Sequence, residues 1–164
     1  MSKPRYRKLT NRQIISLFKF HNPKNLTAIN KLGIKTRFLD KGIDRRAYKI
    51  GTDLVLKIED HKSSSYDQTP HEIKIFKLIH TNDTYKRLRP HIPKLLYGNA
   101  ETRIMIVPFY PGVCEDEEDS SYVHVSQLIN ELLPECFSDL HGGNFRYAKN
   151  GLLMCIDLGY TEGD

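Results

Sequence analysis

With 164 residues, 39% of them hydrophobic, the chain is long enough for one sizeable core and is expected to form one compact unit. No apolar stretch approaches the roughly 20 residues that a bilayer span requires, and the polar, basic start lacks a signal peptide's hydrophobic region. A cytoplasmic protein without membrane association is therefore expected (in the host cytoplasm if the source is viral). The net charge of +5 is uneven: Lys3, Arg5, Arg7, Lys8 and Arg12 crowd the start, and residues 115–119 form an acidic run. That asymmetry suits an acidic or polyanionic partner, or simply a solvated arm. Nucleic acid is not the expected partner, because zinc-finger spacing and an aromatic-rich RNA-binding signature are both missing. Cys114, Cys136 and Cys155 are odd in number and scattered, so they read as free thiols rather than a disulfide scaffold or a zinc site.

In chain order, residues 11–20 and 25–32 read as two short helices separated by His21-Asn-Pro-Lys24, with Ile14, Ile15, Leu17 and Phe18 supplying apolar surface. Paired helices that pack are the expectation, and a helix-turn-helix reader is the alternative. Strands follow at 36–39, 47–50 and 54–59. The stretch between the first two holds one glycine, Gly42, and two arginines, Arg45 and Arg46, which read as solvated or as a charged fork for phosphate. In the third strand Leu54, Leu56 and Ile58 share one face, and Val55, Lys57 and Glu59 the other.

A helix over 70–80 is introduced by Thr69-Pro-His-Glu72. Glu72 has two readings. It completes a capping box with Thr69, or, sharing a helical face with Phe76 and Ile79, it turns its carboxylate inward. Strands at 93–97 and 103–109 come next, ending in Val107-Pro-Phe-Tyr-Pro-Gly112. An acidic linker then leads to a helix over 123–133 with Val125, Leu128, Ile129 and Leu132 as its apolar stripe.

The stretch from Asp139 to Gly159 carries the chemistry. A hydroxyl attacking a γ-phosphate needs an acceptor for its proton and metal ions to neutralise the triphosphate. Asp139 and, five residues on, Asn144 offer one loop a proton acceptor and a neutral oxygen donor. Residues 145–148 and 152–156 are short apolar runs about Lys149-Asn-Gly151, a hairpin signal that would return Asp157 beside Asn144. Gly159 then permits a sharp turn. At ordinary residue frequencies this spacing arises by chance in roughly one chain in a thousand of this length.

With Asp-Leu-His-Gly-Gly-Asn at 139–144 and Asp-Leu-Gly at 157–159, the sequence resembles the protein-kinase-like superfamily, especially its aminoglycoside-phosphotransferase and small phage or bacterial kinase-like branches. The resemblance implies an α+β fold: a protein-kinase-like small lobe with a strongly reduced large lobe. Residues 1–35 become a basic helical N-terminal extension, 36–112 the small lobe and hinge, and 113–164 the reduced large lobe with catalytic loop and metal-binding hairpin. It makes Asp139 the catalytic base, Asn144 and Asp157 the magnesium ligands, and His141 the residue where many protein kinases place a lysine. Lys57 would hold the α- and β-phosphates, paired with Glu72. Gly42 would lie in the phosphate-covering loop, Val55 and Lys57 would roof the nucleotide, and the backbone near Val107 and Phe109 would meet adenine.

Two departures stand out. Phe137-Ser138 replaces the His-Arg or His-Gly that often precedes the base, and the covering loop keeps one glycine where protein kinases often have three. The implied activity is ATP-dependent, magnesium-dependent phosphoryl transfer to a hydroxyl of a protein, of a small molecule or of the chain itself. Only five residues follow Gly159, so the reading includes self-association or an acidic protein partner as the source of an acceptor platform. The alternatives are a pseudokinase acting as a nucleotide- or partner-binding module and, further off, a nucleic-acid-associated protein.

Overall fold

The computed structural model describes residues 8–42, 45–60, 67–137 and 140–158. The fold is α+β, and the chain divides into two compact units: residues 1–73 with 95–109, and residues 74–94 with 110–164.

The first unit begins with α1 (Asn11–His21). Thr10 starts it through a complete capping box, its hydroxyl accepting from Gln13 N at 3.2 Å while Gln13 Oε1 accepts from Thr10 N at 2.9 Å. α1 ends at Asn22, whose left-handed φ of 44° is a common helix stop. α2 (Leu26–Lys31) is capped by Asn25. Five antiparallel strands follow: β1 (Thr36–Lys41), β2 (Arg45–Ile50), β3 (Leu54–Glu59), β4 (Tyr97–Asn99) and β5 (Ile104–Pro108), in the order β1-β2-β3-β5-β4.

The register sorts the sheet into two faces. Tyr48 lies opposite Leu56 and Leu56 opposite Ile106, and this apolar face packs on Ile14 and Phe18 of α1 and Ile29 of α2 in one buried core. The two leading helices thus bury their apolar stripe on the sheet, as packing helices do. The expected strand at 93–97 is displaced to Tyr97–Asn99. Pro93 has no N–H to offer a ladder, and pairing with β5 starts only where Leu96 N meets Ile106 O at 3.0 Å.

α3 (Gln68–Thr81) runs from the first unit into the second. The second unit adds α4 (Ser120–Leu132), α5 (Pro134–Phe137) and a small sheet of β6 (Gly112–Val113), β7 (Phe145–Tyr147) and β8 (Leu153–Cys155) in that order. Val125, Leu128 and Ile129 of α4 are buried, as the apolar stripe requires. The ring of Phe145, fully buried, meets that of Tyr122 edge-on at 5.0 Å. Among the described residues, no helix is long and apolar enough to cross a membrane.

Candidate active site

The second face of the large sheet carries the polar residues. Val55 lies opposite Val107, and Lys57 opposite both Ala47 and Met105. Directly opposed residues share a face, so Val55, Lys57 and Val107 project to one side, together with Arg45 and Glu59. The expected division of β3 into two faces is the observed one.

Lys57 sits at the centre of this face and is only 6% exposed, and Glu72, from the first turns of α3, is 1% exposed. Lys57 Nζ donates to Glu72 Oε1 at 3.0 Å. The other oxygen is occupied too: Arg45 Nη2 donates to Glu72 Oε2 at 3.0 Å. Arg45 is therefore neither solvated nor an open fork, as its sequence context suggested. It is 8% exposed and also directs Nη1 to Met105 Sδ at 3.8 Å. Charge-assisted bonds to both carboxylate oxygens offset the cost of desolvating Glu72.

Glu72 thus takes the inward of its two readings. The helix begins at Gln68, one residue before the expected cap, and Thr69 N donates at 2.8 Å to Glu59 Oε1 on β3. Glu59 Oε2 accepts from Arg103 Nη1 at 2.8 Å, and Arg103 Nη2 reaches Asp67 Oδ1 at 2.6 Å. A carboxylate from the sheet, rather than one from the helix itself, satisfies this helix start. The sequence reading missed this role for Glu59, although its placement on the face of Lys57 was the available signal.

At the end of β5, Phe109 N donates to Asp53 O at 2.7 Å. Alternation along an antiparallel ladder then turns the main-chain groups of Val107 toward Val55. The N–H of Val107 is thus turned to β3 and that of Phe109 to Asp53, the residue just before that strand, and the Phe109 ring carries Lys49 Nζ at 4.5 Å from its centroid. Gly42 N donates to Arg45 O at 2.8 Å. Among the described residues, a Cβ on Gly42 would meet only that oxygen, at an ordinary 3.5 Å.

In the second unit, the hairpin forms as its Asn-Gly signal requires: Gly151 takes a φ of 86° and its N–H bonds to Ala148 O at 2.9 Å. The result is the expected juxtaposition of Asn144 with Asp157. Ile156 N donates to Asn144 O at 2.7 Å, and Asn144 Nδ2 to Asp157 O at 3.0 Å. Asn144 Oδ1 accepts from His141 N at 2.9 Å, closing a 3-10 turn over Gly142–Asn144. His141 folds back as the turn's cap, its Nδ1 accepting from Gly143 N at 3.0 Å. Glu117 Oε1 accepts from Gly142 N. Asp139 and Gly159 lie outside the described residues.

All three cysteines are buried, and none is in a disulfide. Burial pushes the Cys114 thiol up in pKa, and the carboxylates of Asp119, Glu117 and Asp116 push it the same way, so it stays protonated and is no candidate nucleophile. Among the described residues, no three His, Cys, Asp or Glu side chains converge as a metal cluster. Magnesium does not need one. It binds through one or two carboxylates plus phosphates and water, and the oxygens of Asn144 and Asp157 are donors of the hard type it prefers.

No protein-family model matches the chain, and no curated protein matches it. Solved aminoglycoside phosphotransferases overlap part of it. A ternary complex of APH(2'')-IIa with streptomycin and ATP is 17% identical, with 68% of this chain and 30% of that one covered and a TM-score of 0.38. The ADP-bound APH(2'')-Ib is 18% identical over 62% of this chain and 29% of its own, also at 0.38. The matched part is a minor share of either protein's length, and so partial a likeness carries no conclusion about activity.

Proposed function

We propose that the chain is a protein-kinase-like phosphotransferase that binds Mg-ATP and transfers the γ-phosphate to a hydroxyl. The observation that carries this reading is the buried pair of Lys57 and Glu72, joined at 3.0 Å from a central strand and the following helix. A lysine buried at the middle of a sheet has little to do for solubility. Its ammonium carries three donors, one of them on Glu72, and phosphate oxygens are acceptors suited to such a group.

In this reading Lys57 holds the α- and β-phosphates and Glu72 fixes the ammonium. Val55, half-buried with the buried Val107 opposite it on the same face, is the apolar side chain that a nucleotide base would meet in this reading. Magnesium, held by Asn144 and Asp157, would neutralise the charge on the phosphates. The hairpin bonds of Asn144 hold its amide in a fixed orientation, which limits what must be ordered when a ligand arrives. Asp139 accepts the proton of the attacking hydroxyl and orients its oxygen.

The test is incubation with γ-labelled ATP and magnesium, alone and with cell extract, beside a direct binding measurement. Magnesium-dependent ATP binding with transfer of label is the expected result. Binding without transfer under any condition would reassign the chain as a nucleotide-binding regulatory module, and no binding would remove the reading.

A further inference from the structure

We propose that Arg45 is a positioning residue for the phosphate-holding lysine, a role that rests on the phosphotransferase reading above. Arg45 is the first residue of β2, and its carbonyl oxygen accepts from Gly42 N. The next residue on its face of β2 is Ala47, directly opposite Lys57. Beyond that small side chain, the guanidinium reaches the second carboxylate oxygen of Glu72. The carboxylate is consequently gripped from two strands, Oε1 by Lys57 on β3 and Oε2 by Arg45 on β2.

The two cations do different work. A polyphosphate competes with Glu72 for the ammonium of Lys57 and weakens that bond. The guanidinium stays charged at any working pH, and its planar fork is fixed at a second point by Met105 Sδ. Arg45 therefore holds Glu72, and with it the first turns of α3, while Lys57 turns part of its ammonium to the ligand. The same side chain ties the start of β2, whose carbonyl accepts from Gly42 N, to α3.

The experiment compares the wild type with Arg45→Gln and Arg45→Lys, measuring dissociation constants for Mg-ATP and for adenosine by calorimetry, with circular dichroism as the check on folding. A positioning role predicts a loss specific to the phosphates: about tenfold weaker Mg-ATP for Arg45→Gln and about threefold for Arg45→Lys, which keeps the charge but not the fork. Adenosine affinity is unchanged in both. Adding Lys57→Ala to Arg45→Gln costs less than the product of the two single losses, because both act on one carboxylate. Equal losses for ATP and adenosine would mark a merely structural residue and overturn the proposal. So would an unchanged Mg-ATP constant in Arg45→Lys, which decides the matter if the glutamine variant fails to fold. A wild type that does not bind Mg-ATP overturns the phosphotransferase reading itself, and this role with it.

Discussion

His141 Nδ1 accepts the N–H of Gly143 at 3.0 Å, so the imidazole caps the 3-10 turn that holds Asn144. The neutral ring must then carry its proton on Nε2. A side chain in this role is replaceable by another good cap. His141→Asn should retain phosphate transfer within about threefold, since Asn is among the preferred capping residues, whereas His141→Ala leaves the turn uncapped and lowers transfer by about tenfold. Steady-state kinetics of both variants decide it. Equal, deep losses would give the imidazole a chemical part of its own.

Asp157 and Asp139 should separate binding from chemistry. Asp157→Asn removes a charged oxygen donor beside Asn144 and is expected to weaken Mg-ATP by about tenfold or more, while the bonds that Asn144 Nδ2 and Cys155 Sγ make to its main-chain oxygen need no carboxylate. Asp139→Asn should largely preserve binding and lower kcat. An unchanged Mg-ATP constant in Asp157→Asn, in a protein that binds the nucleotide, would withdraw its ligand role.

Lys57→Ala is expected to abolish most of the rise in melting temperature that Mg-ATP produces, each variant being compared with its own ligand-free baseline. Lys77→Ala, which removes an exposed lysine from α3, should leave the rise unchanged. Equal shifts in the two variants would strip Lys57 of its special status.

Gly112 lies opposite Tyr147 in the small sheet, and a Cβ there would stand 2.6 Å from Tyr147 Cβ and 3.0 Å from its carbonyl oxygen. Neither atom is the far end of a flexible side chain, so the strands must part. Gly112→Ala should cost about 1–3 kcal/mol in denaturant unfolding. A midpoint equal to that of the wild type would show that β6 yields freely.

Asp119 accepts from Tyr147 Oη at 3.0 Å and from Ser121 N at 2.9 Å, capping α4. Those bonds, the one from Tyr147 first, lower its pKa below the ordinary carboxylate value. A depressed folded-state pKa gives stability that is fully present above the unfolded value and lost as pH falls through the folded one. The stability gap between wild type and Asp119→Asn should accordingly be constant near neutrality and close below about pH 4. Unfolding curves across that range check it, and a gap independent of pH would disconnect the charge from the cap.

Local signals in the sequence determined much of this protein. The alternation in β3 assigned Lys57 to the face away from Leu54 and Leu56, and the Asn150-Gly151 pair determined the hairpin that brings Asp157 to Asn144. Such features are legible because period and turn chemistry act within a few residues. Tertiary structure alone chose between the two readings of Glu72. It also buried Arg45, which pairs with a carboxylate 27 positions away, and it made Glu59 the acceptor for the start of α3. β6 likewise exists only because Gly112 and Val113 find β7 more than thirty residues later. A charged side chain is buried only where a distant partner offsets its desolvation, and nothing in its immediate sequence records that partner.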